Sequence, residues 1–251
     1  MSRTALQLAT WAGYPSSMQR VEGVPELLDG SLDRRLLDDN LRDLARFNRF
    51  LGGSRLSWNA LCYVLAEAGP TEPVRLLDVG TGAADIPAEF HDRAIAGGRR
   101  LTIEAIDIRS EIVAAAQART AARPGLHISL AAGPPFDFPP TSFDIVHASL
   151  VLHHSDPPDA RRLLAELARL ARRAVIVNDL ERGRSLLAGA WLLTRLVTAN
   201  RYTRHDAPLS IRRAYTADEM SALAAAAGMR ERRRFHAPFG YRYAIVFEPA
   251  R

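Results

Sequence analysis

The sequence contains no lysine, and arginine supplies all 33 of its Lys-plus-Arg residues. The formal charge is +5, which on its own would favour a nucleic-acid partner. The arginines are spread along the whole chain, however, and the densest run, Arg232 to Arg234, is typical of a solvated strand edge. A coding bias towards GC-rich codons explains this composition more simply than a phosphate-binding surface, so we expect no nucleic-acid partner.

Cysteine is nearly absent, because Cys62 is the only one in the sequence. This excludes an internal disulfide and a metal-binding cysteine cluster, and we predict no metal site. The thiol lies in an apolar helical pattern, where it is expected to be buried. Long apolar runs are also missing, since Leu186 to Thr194 is about half the length that spans a bilayer. Without the apolar segment of a signal peptide, the protein is expected to be cytoplasmic.

Strand and helix patterns alternate along most of the chain. Strand patterns occupy residues 74–79, 101–108, 127–131, 143–148, 174–178, 230–236 and 241–248. Helical patterns at about 84–96, 111–122 and 159–170 follow the first, second and fourth of these, which predicts a parallel sheet with helices on both faces. Four residues separate the last two, which are therefore expected to pair as an antiparallel hairpin at the sheet edge. The predicted fold class is α/β, a Rossmann-like sheet of seven mostly parallel strands with an antiparallel C-terminal hairpin and an N-terminal helical cap.

The domain boundary is predicted at the strongest break in the chain, Gly69 to Pro73. Before it, residues 1 to about 30 have no clear period and are interpreted as a loose arm. Helices are predicted at Leu32 to Phe50 and about Ser54 to Glu67. Residues 1–70 are thus an arm and helical cap, and residues 71–251 the main domain.

The first strand leads into a loop with two glycines, Gly80 and Gly82, which let a ligand approach the backbone. Asp85 stands where a dinucleotide-binding loop requires a third glycine. Asp78, just before the glycines, would repel a pyrophosphate. Asp107, at the end of the second strand, is placed to accept both hydroxyls of a ribose, although a strand-end turn residue is the alternative. Together these residues predict an adenosine cofactor with an amino-acid tail and no phosphates.

The motif Leu76-Leu77-Asp78-Val79-Gly80-Thr81-Gly82 resembles the first motif of class I S-adenosylmethionine-dependent methyltransferases. Ser142 to Val146, followed by Leu152-His153-His154, resembles the fourth-strand region of their quinone-biosynthesis-like branch. The resemblance covers roughly residues 74 to 180 and implies S-adenosyl-L-methionine as the cofactor. By position it implies cofactor-binding roles for Asp78, Gly80, Thr81, Gly82, Asp107, Ile108, Ala132, Ser149 and Leu150.

Two segments depart from the family pattern. Ala131 to Pro135 has no acid where many relatives carry one that reads adenine, so adenine is expected to be held by backbone or by a displaced Asp137. Leu170 to Arg173 replaces the usual Pro-Gly-Gly turn before the fifth strand. Neither departure touches the expected site of methyl transfer.

The acceptor is expected to be a small molecule. Nucleobase-methylating members of the class carry an Asn/Asp-Pro-Pro-aromatic motif after the fourth strand, whereas this chain reads Ala148 to Leu152 there. A hydroxyl acceptor gains from a base with a pKa near neutrality, which makes His154 and His205 the candidate catalytic residues. Structural roles for both histidines are the alternative.

The segment 179–216 is predicted to be an insertion that covers the acceptor, with Arg212 and Tyr215 as substrate-binding candidates. The alternative for its second half is a polar loop that caps a helix at residues 216–227. A looser resemblance to small-molecule methyltransferases that accompany bacterial type III polyketide synthases is carried by Pro25 to Asp29, Arg46 to Gly53, Asn178 to Arg182 and Asp206 to Tyr215. That likeness implies a phenol, pyrone or quinone-like acceptor, with Leu186 to Val197 either a lid or a core helix.

The leading hypothesis is methyl transfer to oxygen or carbon of a hydrophobic small molecule. An RNA-directed methyltransferase and a cofactor-binding accessory protein without turnover are the alternatives. The sequence does not indicate the oligomeric state.

Overall fold

The computed structural model describes residues 18–27, 30 and 34–250. In this part of the chain the strands are β1 (Val74–Val79), β2 (Leu101–Asp107), β3 (Leu126–Leu130), β4 (Phe143–Ser149), β5 (Ala171–Leu180), β6 (Met229–His236) and β7 (Arg242–Pro249). The helices are α1 (Arg34–Phe50), α2 (Gly53–Leu65), α3 (Asp85–Ala96), α4 (Ser110–Thr120), α5 (Pro157–Leu170), α6 (Arg184–Val197), α7 (Arg201–Arg213) and α8 (Ala217–Ala226).

The strands form one seven-stranded sheet in the order β3-β2-β1-β4-β5-β7-β6. Strands β1 to β5 are parallel, and β7 runs antiparallel between β5 and β6. The predicted fold class and the C-terminal hairpin are therefore confirmed. The order reverses beside β1, so the carboxyl ends of β1 and β4 border the crevice where ligands bind in such sheets.

The core lies on both faces of the sheet because the parallel strands are apolar on both sides. On one face, Leu61 and Val64 of α2 pack with Ile176 and Val246 of the central strands. Helices α5 and α8 cover the other face, where Leu164 belongs to a second buried cluster. Each fully buried leucine or isoleucine stabilises the fold by about 1.5–3 kcal/mol.

Strand β5 begins earlier than its apolar pattern predicts. Helix α5 ends at Leu170 and the strand starts at the next residue, Ala171, which pairs with Phe143. Arg172 and Arg173 interrupt the apolar pattern, which therefore places the start of the strand at Ala174. Arg172 is stabilised at the strand edge because its Nε donates to Asp144 Oδ1 at 2.8 Å.

The interpretation of residues 206–215 as a polar loop is wrong, because helix α7 occupies most of them with Pro208 inside it. Asn200 begins the helix by accepting a hydrogen bond from the backbone of Tyr202 at 2.8 Å. The next helix, α8, needs no loop to cap it. Thr216 and Glu219 form a reciprocal capping box at its start.

The described part of the arm, residues 18–27, is held against α7. The backbone N–H of Val21 donates to Arg212 O at 3.0 Å, and Arg213 Nη1 donates to Val24 O at 2.6 Å. The remainder of the predicted arm and the predicted helix start at Leu32 lie outside the described residues. The expectation for Cys62 is wrong, because its side chain faces solvent while Leu61 faces the sheet. No helix in the described ranges is long and apolar enough to cross a membrane.

Candidate active site

The loop after β1 folds back over the end of β2. The backbone N–H groups of Gly80 and Thr81 both donate to Ile106 O, at 2.9 and 3.0 Å. Gly80 has φ +69°, and a Cβ added there would lie 2.5 Å from Val151 Cγ2. Only glycine therefore fits this position without a shift of the neighbouring loop.

Asp107 is fixed beside this loop by backbone donors. Its carboxylate accepts from Gly82 N at 3.0 Å and from Arg109 N at 3.2 Å. Burial raises the pKa of Asp107, although these N–H groups oppose the shift. The hydroxyl of Thr81 is also buried, and it has no hydrogen-bond partner among the described residues. The loop thus carries polar groups that a hydroxyl-bearing ligand would satisfy.

A single cavity of about 1800 Å³ begins at this loop. Its wall continues along Asp107 and Ile108, past Ser149 and Leu150, and under α6 and α7. Ligand pockets typically measure about 300–1000 Å³, so this cavity has room for two molecules side by side. The arrangement suits a cofactor at the loop and an acceptor beyond it.

A family model described as a methyltransferase domain matches residues 76–174, which include the loop and Asp107. The protein is an S-adenosyl-L-methionine-dependent methyltransferase. The match covers 99 of the 251 residues and assigns the chain to no branch of the methyltransferases. No curated protein sequence is significantly similar to the chain.

Solved structures of methyltransferases share the fold of this enzyme at low sequence identity. An S-adenosylmethionine-dependent methyltransferase from Aquifex aeolicus is 19% identical, with 86% of this chain and 98% of that chain covered and a TM-score of 0.59. Magnesium protoporphyrin IX methyltransferase from Synechocystis, with bound S-adenosylhomocysteine, is 15% identical over 79% and 84%, with a TM-score of 0.56. The CurJ carbon methyltransferase is 13% identical over 76% and 52%, with a TM-score of 0.58.

S-adenosyl-L-methionine is the cofactor of this methyltransferase, and the loop fits it through the glycine cradle and the unpaired Thr81 hydroxyl. Ala132 is exposed beside the lining residue Ala131, and Asp137 is exposed and does not line the cavity. The wall predicted to face adenine is apolar and includes Phe136. The predicted cofactor residues that line the cavity are Asp78, Gly80, Thr81, Gly82, Asp107, Ile108, Ser149 and Leu150.

Asp78 is oriented from within the sheet by a histidine. Its Oδ1 lies 2.5 Å from His147 Nδ1, and His147 Nε2 lies 2.9 Å from Ser57 Oγ. All three side chains are buried. The ring of His147 lies between Asp78 and Ser57, and it holds the Asp78 carboxylate at the start of the cofactor loop.

Arg242 places a guanidinium in the cavity wall near the same loop. It donates from Nε to Asn178 Oδ1 at 2.5 Å, from Nη1 to Asn48 Oδ1 at 2.7 Å and from Nη2 to Ser149 Oγ at 2.7 Å. Burial lowers the pKa of Arg242. Because its hydrogen-bond acceptors within the described chain are all neutral, this buried cation favours an anionic group in the adjacent cavity.

The cavity wall also has a polar part, formed by Glu26, His153 and His154, which we call the polar end. His153 Nε2 lies 3.8 Å from Glu26 Oε1, and His154 Nε2 lies 4.0 Å from Glu26 Oε2. On its other side, His153 Nδ1 donates to Asp179 Oδ1 at 2.7 Å. Burial acts to raise the pKa of Asp179, but the contact with His153 lowers it overall.

Of the residues predicted for the acceptor side, only His154 lines the cavity. His205 lies on α7 with its side chain half exposed and its Nδ1 2.7 Å from Asp206 Oδ1. Arg212 is exposed. Tyr215 is buried outside the cavity wall, its hydroxyl donates to Ser155 O at 2.7 Å, and burial raises its pKa to about 12.

Sequence reasoning missed Glu26 and Asp179. Glu26 comes from the arm and Asp179 from the end of β5, so neither belongs to the motif that contains the histidines. The one signal in the sequence was the His153-His154 pair at the end of the sheet that binds ligands.

Proposed function

We propose that this methyltransferase transfers a methyl group to a hydroxyl oxygen, or to a carbon, of a hydrophobic small molecule such as a polyketide-derived phenol, pyrone or quinone-like compound. The observation that carries the proposal is the continuous cavity, which leads from the cofactor loop into an apolar space that ends at Glu26, His153 and His154. An apolar ring with one hydroxyl matches such a space, because the ring fills the wall and the hydroxyl meets the polar end.

Helix α6 makes this cavity apolar. Leu186, Ala190 and Leu193 line the wall, while Thr194 is the helix's buried residue. The helix packs on α7 and covers the cavity, so we favour the lid over the core helix. A cover of this kind excludes water and aligns an apolar acceptor, which are the main tasks of a methyl-transfer site.

When bound, S-adenosyl-L-methionine supplies an electrophilic methyl group, whose bond to sulfur breaks as its bond to the acceptor forms. The protein must also accept the proton that the acceptor hydroxyl loses. His154 is the proposed base, because it lines the polar end, whereas His205 is half exposed and does not line the cavity. The role of His205 stays a prediction that its alanine variant tests.

Calorimetry tests the cofactor half of the proposal. We expect S-adenosylhomocysteine to bind the wild type with one site per chain, and Asp107→Ala to weaken that binding at least tenfold, as loss of charge-assisted hydrogen bonds implies. Asp39→Ala, which removes an exposed carboxylate from α1, is the matched control and should bind like the wild type. Equal affinities for both variants would contradict the assignment of Asp107.

Mass spectrometry tests the acceptor half. The enzyme is incubated with S-adenosyl-L-methionine and a panel of phenols, pyrones and hydroquinones, and we expect one added methyl group on at least one class. The site of the methyl group distinguishes oxygen from carbon. His154→Ala should lower turnover while S-adenosylhomocysteine affinity is retained. Tight cofactor binding without product from any acceptor, and with wild-type behaviour of His154→Ala and His205→Ala, would instead favour an accessory protein.

A further inference from the structure

The geometry points to a divalent transition-metal site formed by Glu26, His153 and His154 at the polar end of the cavity. The expectation that the protein has no metal site rests on the lack of a cysteine cluster. The site described here uses imidazole and carboxylate groups instead. Only the catalytic role of the ion rests on the proposed function, since binding of the ion does not require an acceptor.

The three side chains bring their donor atoms together. One ligand atom from each lies within 4.8 Å of the others, and the two His-to-Glu separations are 3.8 and 4.0 Å. Donors bonded to one Zn²⁺ at about 2.0–2.1 Å lie roughly 3.3 Å apart in a tetrahedron. Closure onto an ion therefore requires side-chain movements of about an ångström, without a change of backbone.

The groups behind the donors hold them in position. Asp179 accepts a hydrogen bond from His153 Nδ1 at 2.7 Å, which leaves the lone pair of Nε2 directed towards Glu26. Metal-binding histidines usually have such a carboxylate on the second nitrogen. Ser210 Oγ donates to Glu26 Oε1 at 2.7 Å, within a buried environment.

The backbone of the turn that contains His153 and His154, which we call the histidine turn, is also fixed. Arg213 donates to the carbonyl oxygens of both residues, from Nε to His153 O at 3.2 Å and from Nη2 to His154 O at 2.5 Å. The two imidazole rings stack with centroids 4.2 Å apart, so their Nε2 atoms approach Glu26 side by side. Such prior order reduces the conformational entropy lost when an ion binds.

The donor set indicates the class of ion. Two imidazoles and one carboxylate suit Zn²⁺, Co²⁺, Ni²⁺ or Fe²⁺ better than Mg²⁺ or Ca²⁺, which prefer oxygen ligands. Three protein ligands leave at least one coordination position open, as in catalytic zinc sites. The open position faces the same cavity as the cofactor loop.

Within the proposed function, the acceptor hydroxyl would occupy the open position. The ion lowers the pKa of that hydroxyl, its proton passes to solvent, and the oxygen then attacks the methyl carbon while the sulfur retains the electron pair of the broken bond. His154 is then a ligand and cannot also be the base. The two roles are alternatives that experiment distinguishes.

Cobalt titration of the full-length, chelator-treated protein tests the site without cofactor or acceptor. We expect visible ligand-field absorption that saturates at one Co²⁺ per chain and is displaced by Zn²⁺. Glu26→Gln should weaken binding about a hundredfold, and Asp179→Asn by about 10–100-fold. His127→Ala removes an exposed histidine of β3 and should bind like the wild type.

Calorimetry with S-adenosylhomocysteine shows that each variant is folded. No saturable Co²⁺ absorption in the wild type, or equal Co²⁺ affinity for Glu26→Gln, overturns the site even if the cofactor binds. Methylation that survives the chelator but falls in His154→Ala overturns the catalytic role of the ion and retains the base. Stoichiometric Co²⁺ binding without product from any acceptor supports the site and overturns only the proposed function.

Discussion

At the scale of single residues, we expect Arg242 to bind the carboxylate of the cofactor. The guanidinium is buried among the neutral acceptors Asn48, Asn178 and Ser149 at the cavity wall. The methionine end of S-adenosyl-L-methionine brings a carboxylate, and a hydrogen bond to a charged group contributes about 1.5–3 kcal/mol. We therefore expect Arg242→Met to weaken S-adenosylhomocysteine binding by about 10–100-fold in calorimetry.

The control for this prediction is a second ligand measured on the same variant. Methylthioadenosine has the adenosine and sulfur but no amino-acid tail, so its affinity should change little in Arg242→Met. If both ligands weaken equally, Arg242 supports the fold of the pocket and does not recognise the carboxylate.

Glu181 predicts a pH dependence of stability. Burial raises its pKa to about 7, and Asp218 adds to the shift, while the Ala217 N–H and nearby arginines oppose it. The folded pKa therefore exceeds the unfolded value. As pH rises from about 4.5 to 7, the Glu181 carboxyl loses its proton in the unfolded chain but keeps it in the folded chain. The folded state is therefore destabilised progressively over this range. The contribution of protonated Glu181 to stability is full below about 4.5 and lost above about 7.

Glu181→Gln removes the free-energy cost of a buried carboxylate, because glutamine stays neutral at every pH. We expect the variant to exceed the wild type in free energy of unfolding by about 1 kcal/mol at pH 8.5, after allowance for solvent screening, and to match it near pH 4.5. Urea unfolding at the two pH values measures the difference. Glu248→Gln, on the exposed ion pair with Arg230, should stay within about 0.5 kcal/mol of the wild type at both pH values. A pH-independent effect of Glu181→Gln would contradict the assignment.

The sequence predicted site residues where a local motif identified them. Asp78 and Asp107 adjoin the glycine loop and the end of the next strand, so strand order alone placed them at one edge of the sheet. Glu26 reaches the cavity, and Asp179 reaches His153, only through contacts between segments far apart in the sequence. A local motif therefore could not identify them, because only the fold brings the arm and β5 beside the histidine turn.

At the scale of elements, the loop between β1 and α3 depends on one glycine. Ala at position 80 would occupy φ +69° with its Cβ 2.5 Å from Val151. Because valine is stiff at χ1, the loop must shift. We expect Gly80→Ala to lower the free energy of unfolding by about 2–3 kcal/mol and to weaken S-adenosylhomocysteine binding more than tenfold.

Gly98→Ala is the matched control, since Gly98 has φ +67° but nothing within 4 Å of an added Cβ. It should cost only the backbone term, about 1 kcal/mol, and leave cofactor affinity unchanged. Urea unfolding and calorimetry on both variants separate left-handed strain from steric overlap. Equal losses of affinity would show that the contact with Val151 is unimportant.

The elements that the sequence predicted well are those with an apolar period. Strand β4 is buried along almost its whole length and was found within one residue. Helix α7 was missed because Pro208 and a polar composition are typical of loops. Its stability comes from tertiary contacts, such as the hydrogen bonds of Arg213 to the histidine turn, which a local pattern does not contain.

At the scale of the whole molecule, the cavity combines segments from different parts of the chain. The cofactor loop, Asp107 and the two histidines lie within residues 76–174, which the methyltransferase domain model matches, whereas Arg242 lies outside this range. The acceptor end adds Glu26 from the arm and the cover formed by α6 and α7, all outside that range. Within the proposed function, we expect these flanking segments to determine which acceptor is admitted.

The distribution of charge separates a small-molecule enzyme from an RNA-directed one. The net charge of +5 would support RNA binding only if the arginines were available to phosphates. On the edge strand β6, whose sequence has the densest basic run, side chains instead pair with carboxylates. These pairs are Arg230 with Glu248, Arg232 with Glu67, and Arg234 with Asp218 and Glu231.

We therefore expect weak RNA binding with little dependence on salt. In fluorescence anisotropy with a labelled single-stranded RNA between about 50 and 200 mM salt, log K should fall with log[salt] with a slope shallower than about −2. Replacing Arg232 and Arg233 by alanine together should not change it. A slope of about −4 or steeper that decreases in the double variant would show several phosphate contacts on β6. It would favour an RNA acceptor over the apolar small molecule that we propose.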